Sequence, residues 1–137
     1  MTADKIHYRR GYKYQLRREW RVQTSVVDCS AKISSYVELW PDGVLIVRAG
    51  YAWDGASGPT IDSRSSMRGS LAHDALYQLM REGLIPGSWR GEADRMLYDL
   101  CVADGMWPAR ARLWLWAVRN FGGPSAARRE SRDSVAP

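Results

Sequence analysis

The stretch "SYVELWPDGVLIVRAGY", residues 35–51, predicts a β-hairpin. Val37 and Leu39 are separated by a single residue, which is the spacing of side chains that share one face of a strand. Residues 41–43, "PDG", predict a turn, because proline presets its own φ angle and glycine accepts a positive φ. The unbroken apolar run Val44–Val47 then returns as the second arm of the hairpin. Such a run is typical of a strand that is covered on both faces.

The sequence around this hairpin predicts strands in the first half of the chain and helices in the second. Residues 12–27 are rich in aromatic and β-branched side chains, which favours one or two further strands. Residues 49–66 contain three glycines and one proline among polar residues and are predicted to form a loop. Strands followed by helices are typical of an α+β fold, here a small antiparallel sheet packed against a three-helix layer.

Each of the three predicted helices has a start signal and a stop signal. Serine accepts hydrogen bonds from the first N–H groups of a helix, proline fits the first helical position, and glycine takes the left-handed conformation that ends a helix. The predicted starts are Ser65 or Ser66, Ser88 and Pro108, and the predicted ends are Gly83, Gly105 and Gly122.

The length and composition predict a single domain. The chain has 137 residues, 45% of them hydrophobic, so we expect one α+β domain over residues 1–123. Residues 124–137 are poor in apolar side chains and are predicted to form a disordered tail. The first residues lack the apolar stretch of a signal peptide, and no apolar run reaches the ~20 residues that cross a membrane. Two cysteines are too few for a disulfide framework, so the expected compartment is a reducing cytoplasm.

Charge is unevenly distributed along a chain whose net charge is +5. Residues 1–21 carry seven basic and two acidic side chains, residues 22–107 carry seven basic and eleven acidic ones, and residues 108–137 have a net charge of +4. The acidic middle is compatible with a cation site. The basic first segment has the composition of a phosphate-binding surface, but basic residues on short strands more often form a solvated face. Nucleic acid is therefore the weaker prediction for a partner.

The stretch "RARLWLWAVR", residues 110–119, has two interpretations. Its tryptophans and arginines are compatible with a helix that lies in a membrane interface. A helix that packs its Trp and Leu side chains on a sheet explains the same pattern and is more common. We therefore expect no membrane partner.

The candidate site centres on the helix that carries His73. His73 and Tyr77 share the stripe of core residues on this helix, whereas Asp74 lies about 100° further round, on the flank. In the next helix, Asp94 lies one turn from Arg90 and beside an apolar stripe. An antiparallel hairpin brings His73 and Asp94 within reach of each other only if the two helices are offset.

These residues predict a site for a divalent metal ion in a metal-assisted hydrolase. Asp54, His73 and Asp94 are the predicted ligands, because carboxylates and imidazole suit magnesium, manganese, iron or zinc. A metal ion held there would lower the pKa of a bound water and so supply a nucleophile. The predicted catalytic residues are His73, Asp74 and Asp94, with Asp74 as a fourth ligand or as the group that orients His73. The predicted binding residues are Asp54, Ser57, Tyr77 and Arg90, with Arg90 as an anion clamp.

The alternative interpretation of the same residues is a structural lock. A histidine on a half-apolar helix face is more often a hydrogen-bonded core residue. Asp54 fits the first position of a turn, and Asp94 beside Arg90 is an ordinary helix pair. Exposure distinguishes the two interpretations, because a catalytic site needs an accessible cleft whereas a lock is buried and paired.

Four blocks of sequence carry a family resemblance. They are "GYAWDGASGPT", "SLAHDALYQLMR", "RGEADRMLYDLCVADGM" and "AVRNFGG", in this order over residues 50–123. As a set they resemble an uncharacterised family of bacteriophage and prophage proteins, domain of unknown function 1353. The family pattern falls here on Asp54, Ser57, His73, Asp74, Tyr77, Arg90 and Asp94.

The resemblance implies a phage-encoded protein with a single compact domain, and it implies no activity. In a phage setting, the alternative to a hydrolase is a non-enzymatic virion protein or a protein that binds and inhibits a host defence. The expected partner is then a phage or host protein, and the expected location is the host cytoplasm or the virion.

Overall fold

A computed structural model describes residues 5–9, 14–33, 36–53 and 64–123, and it confirms the α+β fold class. The described strands are β1 (Tyr8–Arg9), β2 (Tyr14–Leu16), β3 (Trp20–Gln23), β4 (Ala31–Ile33), β5 (Val37–Leu39), β6 (Val44–Val47) and β7 (Ala52–Trp53). The described helices are α1 (Met67–Arg81), α2 (Arg90–Ala103) and α3 (Pro108–Phe121). None of these helices is long and apolar enough to cross a membrane. The predicted tail, residues 124–137, lies outside the described residues.

The predicted hairpin is the centre of a four-stranded antiparallel sheet with the strand order β3-β6-β5-β4. Val37 pairs with Val47 and Leu39 with Leu45, so the turn lies where the sequence predicts it. Gly43 has a φ of +91°, and a Cβ there would lie 2.4 Å from the carbonyl oxygen of Thr24, so glycine is required at this position. Leu45, Ile46 and Val47 of β6 are all buried, so side chains on both faces of the strand are covered, which explains its nearly continuous apolar sequence.

A second antiparallel sheet has the strand order β1-β2-β7. Its strand β7 lies inside residues 49–66, so the prediction of a loop across that whole range was wrong. Tyr14 pairs with Trp53, and the two rings lie 5.6 Å apart. Two residues make a very short strand, and their pairing with β2 is a contact between distant parts of the chain. Neither feature is visible in local sequence.

The predicted glycines and proline lie at the helix boundaries, whereas the predicted serines do not cap the helices. Gly83 and Gly105 have φ values of +71° and +96° just after α1 and α2, and Pro108 begins α3. Ser66 lies at the N-cap position of α1, but its side chain makes no capping hydrogen bond. Ser88 is not the N-cap of α2, because it lies inside a 3₁₀ turn, Gly87–Trp89, that precedes this helix.

The core has two parts. The larger cluster joins the sheet residues to α1 and to one side of α2. The smaller cluster lies between α2 and α3 and contains Leu97, Cys101, Met106, Ala111, Trp114 and Val118. Gly69 lets α1 approach α2 closely, because a Cβ there would lie 3.0 Å from atoms of both Leu97 and Cys101. The layer is thus built outward from the sheet, with α3 packed on α2.

Candidate functional site

Asp94 lies at the centre of a buried polar network between α1 and α2. Its Oδ1 atom is 2.8 Å from Nε2 of His73 and accepts a hydrogen bond of 2.5 Å from the hydroxyl of Tyr77. His73 and Tyr77 lie one turn apart on α1, and their rings stack at 4.0 Å between centroids. The structure therefore brings together the histidine and the aspartate that the sequence left at an uncertain distance.

The 3₁₀ turn before α2 accounts for the offset that this contact requires. His73 lies eight residues before the end of α1, which is about 12 Å along the helix axis. Asp94 lies only four residues after the start of α2 at Arg90, about 6 Å. The preceding turn, Gly87–Trp89, adds about 6 Å more at the steeper rise of a 3₁₀ helix. The two arms of the hairpin therefore have matching lengths, and the side chains meet.

Arg90 extends the network to the third helix. Its Nε donates to the hydroxyl of Tyr77 at 3.1 Å and lies 3.9 Å from Oδ2 of Asp94. One terminal nitrogen of its guanidinium donates to the carbonyl oxygens of Val118 and Arg119, at 2.8 and 2.7 Å. These carbonyls lie in the last turn of α3, where the helix carries partial negative charge, and that of Val118 also accepts the backbone N–H of Gly122 at 2.8 Å. Arg90 therefore caps α3 while it joins α3 to α1.

The network is buried, and its polar atoms are hydrogen-bonded to one another. Asp94 is 1% exposed and His73 is 8% exposed. Burial raises the pKa of Tyr77, and the hydrogen bond to Asp94 raises it further, so Tyr77 stays protonated as a donor at neutral pH. Among the described residues, the buried side-chain polar atom without a partner is Nε1 of Trp114, which lies outside the network.

The other predicted site residues do not join Asp94 in the described structure. Asp54 and Ser57 lie outside the described residues. Asp74 is half-buried and acts on a different group, Tyr51. Burial raises the pKa of Tyr51, and the negative charge of Asp74 raises it further. The hydroxyl of Tyr51 donates to Gln78 at 2.9 Å, so this tyrosine also links the sheet half of the chain to α1.

The described residues contain no group of three or more His, Cys, Asp and Glu side chains that could hold a metal ion. His73 and Asp94 contact each other directly, which leaves Oδ1 of Asp94 engaged by protein donors. The predicted third ligand, Asp54, is not among the described residues. The predicted metal ion therefore stays a prediction.

Two parts of the arrangement were missed in the sequence. The carbonyl groups of Val118 and Arg119 complete the network. In the sequence, their role is indicated only by their place in "AVRNFGG", one of the four blocks that carry the family resemblance. The indole of Trp53 donates to Ser70 at 3.1 Å, and the Ser70 hydroxyl donates to the carbonyl of Met67. This contact fixes the end of the first block beside the turn of α1 that precedes His73. The described parts of the four blocks thus lie at or next to one cluster.

Comparisons of the chain with protein-family models, with curated proteins and with solved structures found no match. The resemblance to the phage family stays a prediction.

Proposed function

We propose that the chain is a non-enzymatic, phage-encoded interaction protein in which His73, Tyr77, Arg90 and Asp94 form a structural lock. The observation that supports this proposal most strongly is the environment of Asp94. Asp94 is 1% exposed, and one oxygen of its carboxylate accepts two hydrogen bonds from side chains of α1. A group that acts in catalysis must reach a substrate or a water molecule, whereas these atoms reach other parts of the same fold.

The energetics also favour a lock. A buried carboxylate is costly unless donors replace the water that it loses on folding. Here His73 and Tyr77 supply these donors, and the guanidinium of Arg90 lies 3.9 Å away as the nearby positive charge. The same guanidinium donates to two carbonyls at the end of α3. One cluster of side chains therefore specifies how three helices pack.

The phage setting rests on the four-block resemblance. A protein that inhibits a host component would act in the host cytoplasm, and a structural component would be found in the virion. Mass spectrometry of purified virions separates these locations, because a virion component appears there in stoichiometric amount.

A metal-assisted hydrolase is the second candidate. The hydrogen bond between Trp53 and Ser70 favours this candidate, because it holds the last described residue of the first block beside the turn of α1 that precedes His73. In that function Asp94 would orient His73 through Nε2, and the other ring nitrogen would face a metal ion or a proton. Asp54 would supply the carboxylate ligand.

The two histidines of the chain offer a matched experiment. His73 is buried in the network, and His7 is exposed. We expect His73→Ala to lower the free energy of unfolding by about 1–3 kcal/mol, because it leaves Asp94 without one donor. His7→Ala should change it by no more than about 0.5 kcal/mol. Urea unfolding with and without a chelator measures both.

The effect of divalent metal ions on the melting temperature could contradict the lock. The lock predicts that magnesium, manganese and zinc leave the melting temperature of the parent unchanged. A higher melting temperature with one of these ions, lost in His73→Ala but not in His7→Ala, would contradict the lock and support the hydrolase.

A further inference from the structure

Helix α3 has a buried face and an exposed apolar face. Its buried face carries Trp114, which packs in the cluster between α2 and α3. The exposed face carries Leu113 and Trp116, and Trp116 is 52% exposed. The expectation that both tryptophans of this helix pack on the sheet is therefore not met. Trp114 packs on α2, and Trp116 contacts solvent.

Further exposed aromatic side chains lie at the two ends of α3. Trp107 immediately precedes the helix and is 80% exposed, and Phe121 at its last residue is also exposed. The rings of Trp116 and Phe121 meet edge to face at 5.6 Å. Leu113 and Trp116 lie within one turn of each other and Trp116 contacts Phe121, so these three side chains form a connected exposed patch rather than scattered exposure. We call Leu113, Trp116 and Phe121 the α3 apolar surface.

The charge around this surface is positive. Arg112 and Arg119 are exposed, and α3 contains no acidic residue. At 100° per residue, Arg112, Leu113, Trp116 and Arg119 lie within an arc of about 120° on the helix. Arginines therefore flank the central tryptophan on the same face.

Two occupants of this surface from the chain itself are disfavoured. The sequence of residues 124–137, "PSAARRESRDSVAP", has no aromatic residue and too few apolar ones to cover it. A second copy that packs α3 against α3 would bring Arg112 and Arg119 near their own counterparts without acidic residues to separate them. The charge instead fits an anionic partner.

We propose that the exposed face of α3 binds an anionic membrane surface. Tryptophan, phenylalanine and leucine beside arginine on one helix are the composition of a helix that lies in a membrane interface. Tryptophan is enriched at the level of lipid headgroups, and arginine side chains reach from there to phosphate and carboxylate groups. The inference does not depend on the proposed lock, because no side chain of the α3 apolar surface belongs to the His73–Asp94 network.

Co-sedimentation with vesicles tests the inference on the full chain. We expect binding to phosphatidylcholine vesicles that contain phosphatidylserine and at least tenfold weaker binding to pure phosphatidylcholine. The double variant Leu113→Ala, Trp116→Ala should lower affinity for anionic vesicles at least tenfold, because it removes the buried apolar contact. Its control is Trp40→Ala, a tryptophan that is 54% exposed on the hairpin and should leave binding unchanged.

Two arginine double variants distinguish binding at α3 from a general electrostatic attraction between the basic chain and anionic vesicles. Arg112→Gln with Arg119→Gln should lower the affinity about tenfold or more. Arg17→Gln with Arg18→Gln removes the same charge from an exposed segment between β2 and β3 and should lower it less than threefold. Circular dichroism verifies that each variant is folded.

Three outcomes would overturn the inference. They are no binding to the anionic vesicles, equal binding to both vesicle types, and equal losses in the two arginine double variants. Binding to an acidic polypeptide such as polyglutamate, without binding to vesicles, would also overturn it and assign the surface to an acidic protein.

Discussion

Removal of the Arg90 side chain is expected to lower the free energy of unfolding by about 2–4 kcal/mol. Arg90 donates two hydrogen bonds to α3 carbonyls, at 2.8 and 2.7 Å, and one of 3.1 Å to the hydroxyl of Tyr77. Hydrogen bonds from charged groups contribute about 1.5–3 kcal/mol each. The side chain is 30% exposed, so water replaces part of this interaction and the sum is reduced to about half.

Urea unfolding of Arg90→Ala measures this loss, and Arg95→Ala is the matched control. Arg95 lies on the same helix and makes two surface contacts, an ion pair with Asp99 and a cation–π contact of 5.1 Å with the ring of Tyr98, so its removal should cost about 1 kcal/mol or less. Arg90→Lys should recover little, because an ammonium group cannot match the planar fork of a guanidinium. Amide hydrogen exchange should show the greatest loss of protection in the last turns of α3. Equal stabilities of Arg90→Ala and Arg95→Ala would refute the reasoning.

Three further predictions concern packing, pH and the C-terminal residues. Gly69→Ala should lose stability because its Cβ would press on α2, whereas Gly91→Ala, with open space around the new Cβ, should gain about 0.5–1 kcal/mol in urea unfolding. Burial raises the pKa of Cys101 from 9.0 to about 12, so the native state holds this proton more tightly than the unfolded chain. Stability should therefore stay level below about pH 9 and fall as the pH rises toward 12, and a flat profile there would contradict the burial. Truncation after Gly123 should leave the melting temperature within about a degree or two, because the sequence of the removed residues is poor in apolar side chains; a larger loss would show that they dock on the domain.

Local sequence predicted the elements whose causes are local. The turn at residues 41–43 depends on a proline and a glycine, and the strand Val44–Val47 depends on its own run of β-branched and aliphatic side chains. Helix ends at glycine were also predictable. The strand Ala52–Trp53 was not, because it exists only through pairing with β2. The failed serine caps have a similar cause, since a 3₁₀ turn precedes α1 at Arg64–Ser66 and another precedes α2 at Gly87–Trp89, and both change the geometry at the N-cap.

The candidate site was predictable as a set of residues but not as an arrangement. The spacing on each helix placed His73 with Tyr77 and Asp94 with Arg90. Their contact across the hairpin depends on the extra length of the turn Gly87–Trp89, which the sequence does not reveal. The contact of Arg90 with α3 could not be predicted from the residue types, because its partners on α3 are backbone carbonyls.

The sign of the stability change in Asp94→Asn tests the structural lock most directly. The variant keeps the shape of the side chain and removes its charge, and Asp99→Asn on the same helix is the exposed control. With chelator present, the lock predicts that Asp94→Asn loses about 1–3 kcal/mol in urea unfolding, because His73 and Tyr77 then donate to a weaker acceptor. Asp99→Asn should stay within about 0.5 kcal/mol of the parent. A metal site formed by several carboxylates predicts the opposite, since removing one charge relieves repulsion when no cation is bound. Unchanged or increased stability of Asp94→Asn, together with loss of a metal-induced rise in melting temperature, would contradict the lock.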